Sequence, residues 1–97
     1  PKETRPTNIF DDKAALEAFQ HAVKLDPKNY EALWRLSRTY LDIGEHQPRD
    51  KQLDYYQKAL MFADSAIHVN PNGDEGYLRR AIANGKVSLF KGVFKSI

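Results

Sequence analysis

The chain has 97 residues, enough for one small domain but not for a catalytic domain joined to a regulatory one. Its composition, 41% hydrophobic and 29% charged, is typical of a globular domain. No apolar run approaches the ~20 residues of a membrane-spanning helix. There is no cysteine, which excludes disulfides, thiolate catalysis and cysteine metal ligands. Because the first residue is Pro1, we expect a piece of a longer chain.

The charge is distributed unevenly along the chain. Residues 1–75 contain ten Lys or Arg and thirteen Asp or Glu, a net charge of −3. Residues 76–97 contain five Lys or Arg and no acidic residue. Such an asymmetry occurs in proteins that bind nucleic acid, anionic membranes or acidic partners. It also occurs on the solvated face of a single helix, which is the interpretation we expect here.

Apolar residues recur at helical spacing between prolines and glycines, which predicts four helices and no strand. The first helix is predicted from Asp12 to Leu25 and ends before Pro27. The second begins after Asn29, a residue that caps helix N-termini well. It is predicted to end at Gly44, which we expect in the left-handed conformation common at helix C-termini.

Two further helices are predicted in the second half of the chain. A polar stretch, residues 45–50, contains Pro48 and is predicted to be a loop. The third helix is predicted from Lys51 to Val69. The fourth begins within residues 72–75 and runs towards the C-terminus.

Internal repetition is the strongest signal in the sequence. Two series share spacings of 4, 3 and 5 residues, namely Ala15, Phe19, Ala22, Pro27 and Ala59, Ala63, Ala66, Pro71. Small residues at this spacing let a helix pack closely against its partner before a proline ends it. The second helix adds an apolar, apolar, small and aromatic series, namely Leu33, Leu36, Ser37 and Tyr40.

These positions resemble the tetratricopeptide repeat, a helix-turn-helix unit of 34 residues. The resemblance implies an all-α fold of antiparallel helix pairs that form a short right-handed superhelix. It makes residues 12–27 the second helix of one repeat, 29–71 a complete repeat and 74–97 the first helix of another. The complete repeat is ten residues longer than usual, and the excess is expected in an expanded loop near residues 45–53.

One family of repeat proteins shares further features. The string Leu33-Trp34-Arg35-Leu36-Ser37-Arg38, followed by an expanded loop and a long third helix, is similar to the regulator-of-microtubule-dynamics family and its bacterial relatives. The segments GYLRRAIANGK at 76–86 and LFKG at 89–92 resemble what bacterial members carry after their second helical pair. For a bacterial relative, this resemblance implies no role at microtubules.

No residue pattern predicts an enzyme, a metal site or a cofactor. The three histidines are 25 and 22 residues apart, which is not the spacing of two ligands on one helix face. Asp64, Ser65 and His68 lie within about one helical turn, but the Gly-x-Ser-x-Gly motif of a hydrolase is absent. His68 is instead expected to interact with the helix dipole and with Asp64. Gly85-Lys86 lacks the rest of a Walker loop.

Surface recognition is therefore the predicted function. The repeat resemblance implies a concave face, built mainly from first helices, that binds an extended peptide or a helix of a protein partner. On that alignment the candidate contact residues are Trp34, Arg35, Arg38, Arg79 and Lys86. Arg beside Trp is frequent at protein interfaces, and Arg can fork onto a carboxylate. In the alternative, Trp34 covers the segment 45–53 while Arg35 and Arg38 are solvated or paired with Glu31 and Asp42.

The basic, amphipathic C-terminal segment 86–97 supports a second hypothesis, a peripheral membrane-surface module. Gly85 and Gly92 each weaken an isolated helix by about 1 kcal/mol relative to Ala, which disfavours a freestanding anchor. We expect the apolar stripe to pack on a further helix or to promote self-association instead. Nucleic-acid binding is not expected, because two Phe on the apolar side give no stacking platform. The stripe consists of Leu89, Phe90, Val93, Phe94 and Ile97.

Overall fold

The computed structural model describes residues 9–95, with side chains described for residues 11–92. Within this range the chain forms four α-helices and no strand, which confirms the predicted all-α class. The helices are α1 (Ile9–Leu25), α2 (Tyr30–Glu45), α3 (Arg49–Val69) and α4 (Asp74–Lys95). Three residues of the predicted apolar stripe, Val93, Phe94 and Ile97, lie outside the part of the chain with described side chains.

Two polar side chains form the turn between α1 and α2. The Asp26 carboxylate accepts a hydrogen bond from the Lys28 N–H at 3.0 Å. The Asn29 side chain accepts one from the Ala32 N–H at 3.1 Å, which confirms Asn29 as the N-cap of α2. α1 begins at Ile9, three residues before the predicted start, and ends at Leu25 as predicted.

Gly44 does not end α2. The helix continues to Glu45 with His46 as its C-cap, and no glycine of the described residues has a positive φ. Gly44 is buried, and a Cβ atom at this position would come within 2.9 Å of Tyr55 Cβ and of Tyr56 Cε1. The predicted left-handed role is therefore wrong. Glycine is required here because α3 approaches the backbone of α2 too closely for a side chain.

The prediction of an expanded loop near residues 45–53 is also wrong. The connection between α2 and α3 contains only residues 46–48, and α3 begins at Arg49 and runs for 21 residues. Asp50 lies in the first turn of α3, where a negative charge complements the helix dipole. Polar residues occur both in loops and in the first turn of a helix, so the sequence alone does not distinguish the two. Most of the additional residues of this repeat lengthen α3 and do not form a loop.

The centre of the fold is α2, which packs against α1, α3 and α4. Ala59, Ala63 and Ala66 of α3 are fully buried, which confirms the close packing predicted from the small residues. Because the helices approach so closely, the Ser37 hydroxyl donates a hydrogen bond of 2.6 Å to the Ala59 carbonyl. The buried core residues around this contact are Leu36, Tyr40, Leu41, Tyr56, Ala59, Ala83 and Val87.

Tyr30, the first residue of α2, fixes the start of α4. Its hydroxyl accepts a hydrogen bond of 3.1 Å from the Gly76 N–H and lies against Gly73 in the preceding turn. Gly76 also packs against α3, since a Cβ atom there would come within 2.9 Å of Ile67 Cγ1. These contacts place the N-terminal turns of α2 and α4 side by side.

We expect Tyr30→Phe to lower the free energy of unfolding by about 1 kcal/mol, because the Gly76 N–H loses its acceptor. Urea unfolding followed by circular dichroism measures the change. Tyr77→Phe is the matched control and should change stability by less than about 0.5 kcal/mol, since the Tyr77 ring is exposed. Equal losses in the two variants would contradict the role of Tyr30.

Candidate functional site

Three guanidinium groups surround the ring of Trp34. The Cζ atoms of Arg35, Arg79 and Arg38 lie 4.8, 5.3 and 5.9 Å from the ring centroid. These distances are those of cation–π contacts. α2 supplies Trp34 and two of the arginines, and α4 supplies Arg79 because Tyr30 holds the two helix starts together. We call Trp34, Arg35, Arg38 and Arg79 the Trp34 cluster.

Two carboxylates of the same helices hold two of these guanidinium groups. Arg35 Nη2 lies 2.7 Å from Glu31 Oε2, and Arg79 Nη2 lies 2.7 Å from Glu75 Oε1. Each carboxylate precedes its arginine by four residues and is therefore one helical turn away. Arg38 pairs with no carboxylate of the described residues. The alternative in which Arg35 pairs with Glu31 is thus confirmed, and that pair forms part of the cluster's surroundings.

Arg79 is the more buried of the two paired arginines. Its side chain is 14% exposed, against 37% for Arg35. Its Nε donor is buried without a hydrogen-bond partner among the described residues. An unsatisfied buried donor costs about 1–3 kcal/mol, so packing alone does not account for an arginine at this position. Proteins keep unfavourable buried groups of this kind chiefly at functional sites.

Trp34 does not cover the segment 45–53. It lies in the second turn of α2, about 16 Å along the helix axis from Glu45 at 1.5 Å per residue. The predicted alternative role for Trp34 is therefore wrong. Its ring faces α4 instead, where it contacts Arg79.

Lys86 lies apart from the Trp34 cluster. It follows Arg79 by seven residues, about 10 Å along α4. Its Nζ is 5.6 Å from the ring centroid of Tyr56 and 3.9 Å from Glu45 Oε2, near the end of α2. The structure brings together four of the five predicted contact residues and leaves Lys86 outside, so its part in binding stays a prediction.

Lys86 borders a recess of about 240 Å³ between the start of α3 and the end of α4. Phe90 packs into this region, with its ring centroid 6.0 Å from that of Tyr56. Leu89, by contrast, is 66% exposed. The predicted apolar stripe is therefore partly covered by the protein itself. The recess is lined by Arg49, Gln52, Tyr56, Lys86, Leu89 and Phe90.

Burial raises the pKa of the Tyr56 phenol, and the negative charge of Glu45 raises this pKa further. The pKa of Tyr56 is therefore higher in the folded protein than in the unfolded chain. The neutral phenol contributes its full stability to the folded state at neutral pH. This contribution is lost as the pH rises through the folded-state pKa. We expect the free energy of unfolding to fall above about pH 10, and to fall less steeply in Tyr56→Phe. Urea unfolding across this range tests it, and identical slopes would contradict it.

The group of Asp64, Ser65 and His68 makes none of the contacts of a nucleophilic site. The Ser65 hydroxyl donates to the Met61 carbonyl of its own helix at 3.1 Å. Asp64 Oδ1 lies 3.8 Å from Arg80 Nη1 of α4, so its described contact is an interhelical pair and not the expected one with His68. His68 lies in the last turn of α3, which confirms its predicted position near the C-terminus of that helix.

None of the helices in the described range is both long and apolar enough to cross a membrane.

Sequence reasoning found the cluster but missed the residues that position it. Glu75 precedes Arg79 by four residues, so helical spacing alone could have identified that pair. Tyr30 gave no such signal, because its contact with Gly76 spans 46 residues of sequence. Long-range contacts of this kind depend on how the helices are placed in space.

Comparison with known proteins gives a family. The family model described as Regulator of microtubule dynamics protein 1-3 matches residues 5–97, a range that includes all four helices. Searches of curated proteins and of solved structures found no match. The match confirms the family resemblance seen in the sequence and gives no support for a bacterial origin. The chain therefore belongs to the regulator of microtubule dynamics family.

Proposed function

We propose that the chain is a non-enzymatic protein-interaction scaffold of the tetratricopeptide type. It binds a peptide or helix of a protein partner on a concave face to which α2 and α4 contribute. The observation that carries the proposal is the Trp34 cluster, in which three arginines from two helices meet on one tryptophan. Trp and Arg are among the residue types most enriched in the strongest contacts of protein interfaces.

Helix packing supports the repeat assignment. In this proposal α1 is the second helix of one repeat, α2 and α3 form a complete repeat, and α4 is the first helix of the next. The α2 and α4 helices run in the same direction, since Arg79 lies by Trp34 and Lys86 lies by Glu45. Neighbouring first helices are parallel in such arrays, and their exposed faces form the extended binding surface.

A matched pair of double variants tests the function. In Arg35→Ala/Arg38→Ala we expect capture of partner proteins from the source-cell lysate to fall at least about fivefold. Lys13→Ala/Lys51→Ala removes the same charge from exposed positions on α1 and α3 and should leave capture unchanged. Circular dichroism confirms that both variants remain helical.

Cross-linking then locates the contact. Captured proteins should form cross-links to residues near the starts of α2 and α4, and these cross-links should disappear in Arg35→Ala/Arg38→Ala. If capture and cross-links are the same in both double variants, the Trp34 cluster is not the binding site. Cross-links confined to the end of α4 would point to a different surface.

Self-association is proposed for the exposed part of the C-terminal stripe. Leu89 is exposed, and α4 stays helical through Gly85 and Gly92, where no neighbour lies within 4 Å of a Cβ position. The inward packing of Phe90 against Tyr56 reduces the apolar surface that a membrane module would need. Light scattering at increasing protein concentration is the measurement, and a monomer throughout would contradict self-association.

A further inference from the structure

We infer that the Trp34 cluster recognises an acidic peptide segment, whose carboxylates replace Glu31 and Glu75 on the arginines. This inference rests on the proposed function, because it names the chemistry of the partner bound at the same site. Three observations support it. The arginines have hydrogen-bond donors without a partner, their ion pairs with Glu31 and Glu75 can be exchanged, and the Arg79 side chain is largely buried.

The available donors match a carboxylate. Each guanidinium has a planar fork of five N–H donors that pairs best with a carboxylate or a phosphate. The guanidinium Cζ atoms of Arg35 and Arg79 lie 4.8 and 5.3 Å from the centroid of the Trp34 ring, and each guanidinium is paired with one carboxylate of its own helix. Arg38 contacts the same ring and has no carboxylate partner within the described part of the chain. The cluster therefore has unused donors for an anionic group.

The present carboxylate partners can be replaced. Glu31 and Glu75 have side chains that are 64% and 40% exposed, and both pairs are of the i,i+4 type. An exposed pair of this type contributes little stability, so a partner's carboxylate competes readily for Arg35. Arg79 is more buried, so a carboxylate that binds it has to take the place of Glu75. We infer that these two glutamates hold Arg35 and Arg79 in place when no partner is bound.

The charge of α4 favours an acidic partner. No acidic residue follows Glu75, so every charged residue of α4 beyond its first turn is basic. A peptide that enters between α2 and α4 meets Arg79 and then Lys86 about 10 Å further along the helix. Both cations attract an acidic segment, whose carboxylates compete with Glu75 at Arg79 and with Glu45 at Lys86.

The geometry favours a peptide over other anionic partners. Arg79 is only 14% exposed, so a side-chain carboxylate can reach it while a flat membrane surface cannot. Three guanidinium Cζ atoms lie between 4.8 and 5.9 Å from the centroid of the Trp34 ring, so a nucleic-acid base would have to displace them in order to stack there.

Trp34 is the only tryptophan in the chain, so its fluorescence reports on this site directly. A short peptide of glutamates (the Glu peptide) is added to the full chain. The control is a peptide of glutamines of the same length (the Gln peptide). We expect the emission of Trp34 to change with added Glu peptide until it reaches a plateau, and the affinity to fall as the salt concentration rises. The Gln peptide should leave the emission unchanged. Equal responses to both peptides would overturn the inference.

Two variants separate competition from general electrostatics. Glu31→Gln should raise the affinity for the Glu peptide at least about threefold, because it frees Arg35 and removes a competing charge. Glu17→Gln changes the net charge equally on exposed α1 and should have less than half that effect. An unchanged or reduced affinity in Glu31→Gln would show that Glu31 is not a competitor.

Further outcomes separate this inference from the proposed function. If Trp34 responds to anionic vesicles or to an RNA oligonucleotide but not to the Glu peptide, the acidic-peptide inference is overturned. If cross-linking finds a protein partner at α2 and α4 whose contacting segment is basic or apolar, the inference fails and the proposed function stands. If capture does not depend on Arg35 and Arg38, the proposed function fails.

Discussion

Leu36→Ala is expected to lower the free energy of unfolding by about 2–5 kcal/mol. Leu36 is 1% exposed and lies in the core cluster with Tyr40, Tyr56 and Ala83. Small domains have total stabilities of about 5–15 kcal/mol, so this single change removes a large part of it. The loss is this large because α2 packs on three helices at once, which leaves little freedom to close the cavity. Urea unfolding measures it.

Leu89→Ala is the matched control for this prediction. It makes the same substitution on α4, where the Leu89 side chain is 66% exposed. Its effect on unfolding should be below about 0.5 kcal/mol. If the two variants lose similar stability, α2 is not the centre of the fold.

Arg79→Ala is expected to weaken binding of the Glu peptide at least about tenfold, which corresponds to about 1.4 kcal/mol. The substitution removes the more buried of the two paired arginines and its contact with Trp34. It also leaves Glu75 unpaired beside the site, where it repels an acidic partner. The affinity is measured from the emission of Trp34, with circular dichroism to confirm the helical fold.

The neighbouring residue provides the control. Arg80 has the same charge on the same helix, but it faces Asp64 and Tyr77 and not Trp34. Arg80→Ala should therefore change the affinity less than about twofold at physiological salt, where distant charges are screened. Equal losses in Arg79→Ala and Arg80→Ala would mean that general positive charge, and not the cluster, attracts the peptide.

Much of the fold follows from local sequence signals. The N-cap Asn29 and the buried alanines Ala59, Ala63 and Ala66 were predictable from spacing and residue type, because short-range hydrogen bonds and close packing determine them. Gly44 was misassigned, since glycine is favoured both at a helix end and where two helices approach closely. Only the position of α3 distinguishes these two roles.

The candidate site was predictable in composition but not in geometry. Trp34, Arg35 and Arg38 lie within two turns of one helix, so their proximity follows from helical spacing. Arg79 comes to the same ring because Tyr30 binds Gly76, a contact that no local pattern predicts. Lys86 shares a helix with Arg79, but seven residues of helical rise place it too far along to join the cluster.

The most direct test of the Trp34 cluster as a binding site is a map of backbone amide chemical-shift changes when the Glu peptide is added. We expect the largest changes at residues 31–38 and 75–83, the turns that carry the four cluster residues and their two carboxylate partners. The exposed face of α1 should be unaffected. Changes centred on residues 86–92, or spread evenly over all four helices, would contradict binding at the cluster.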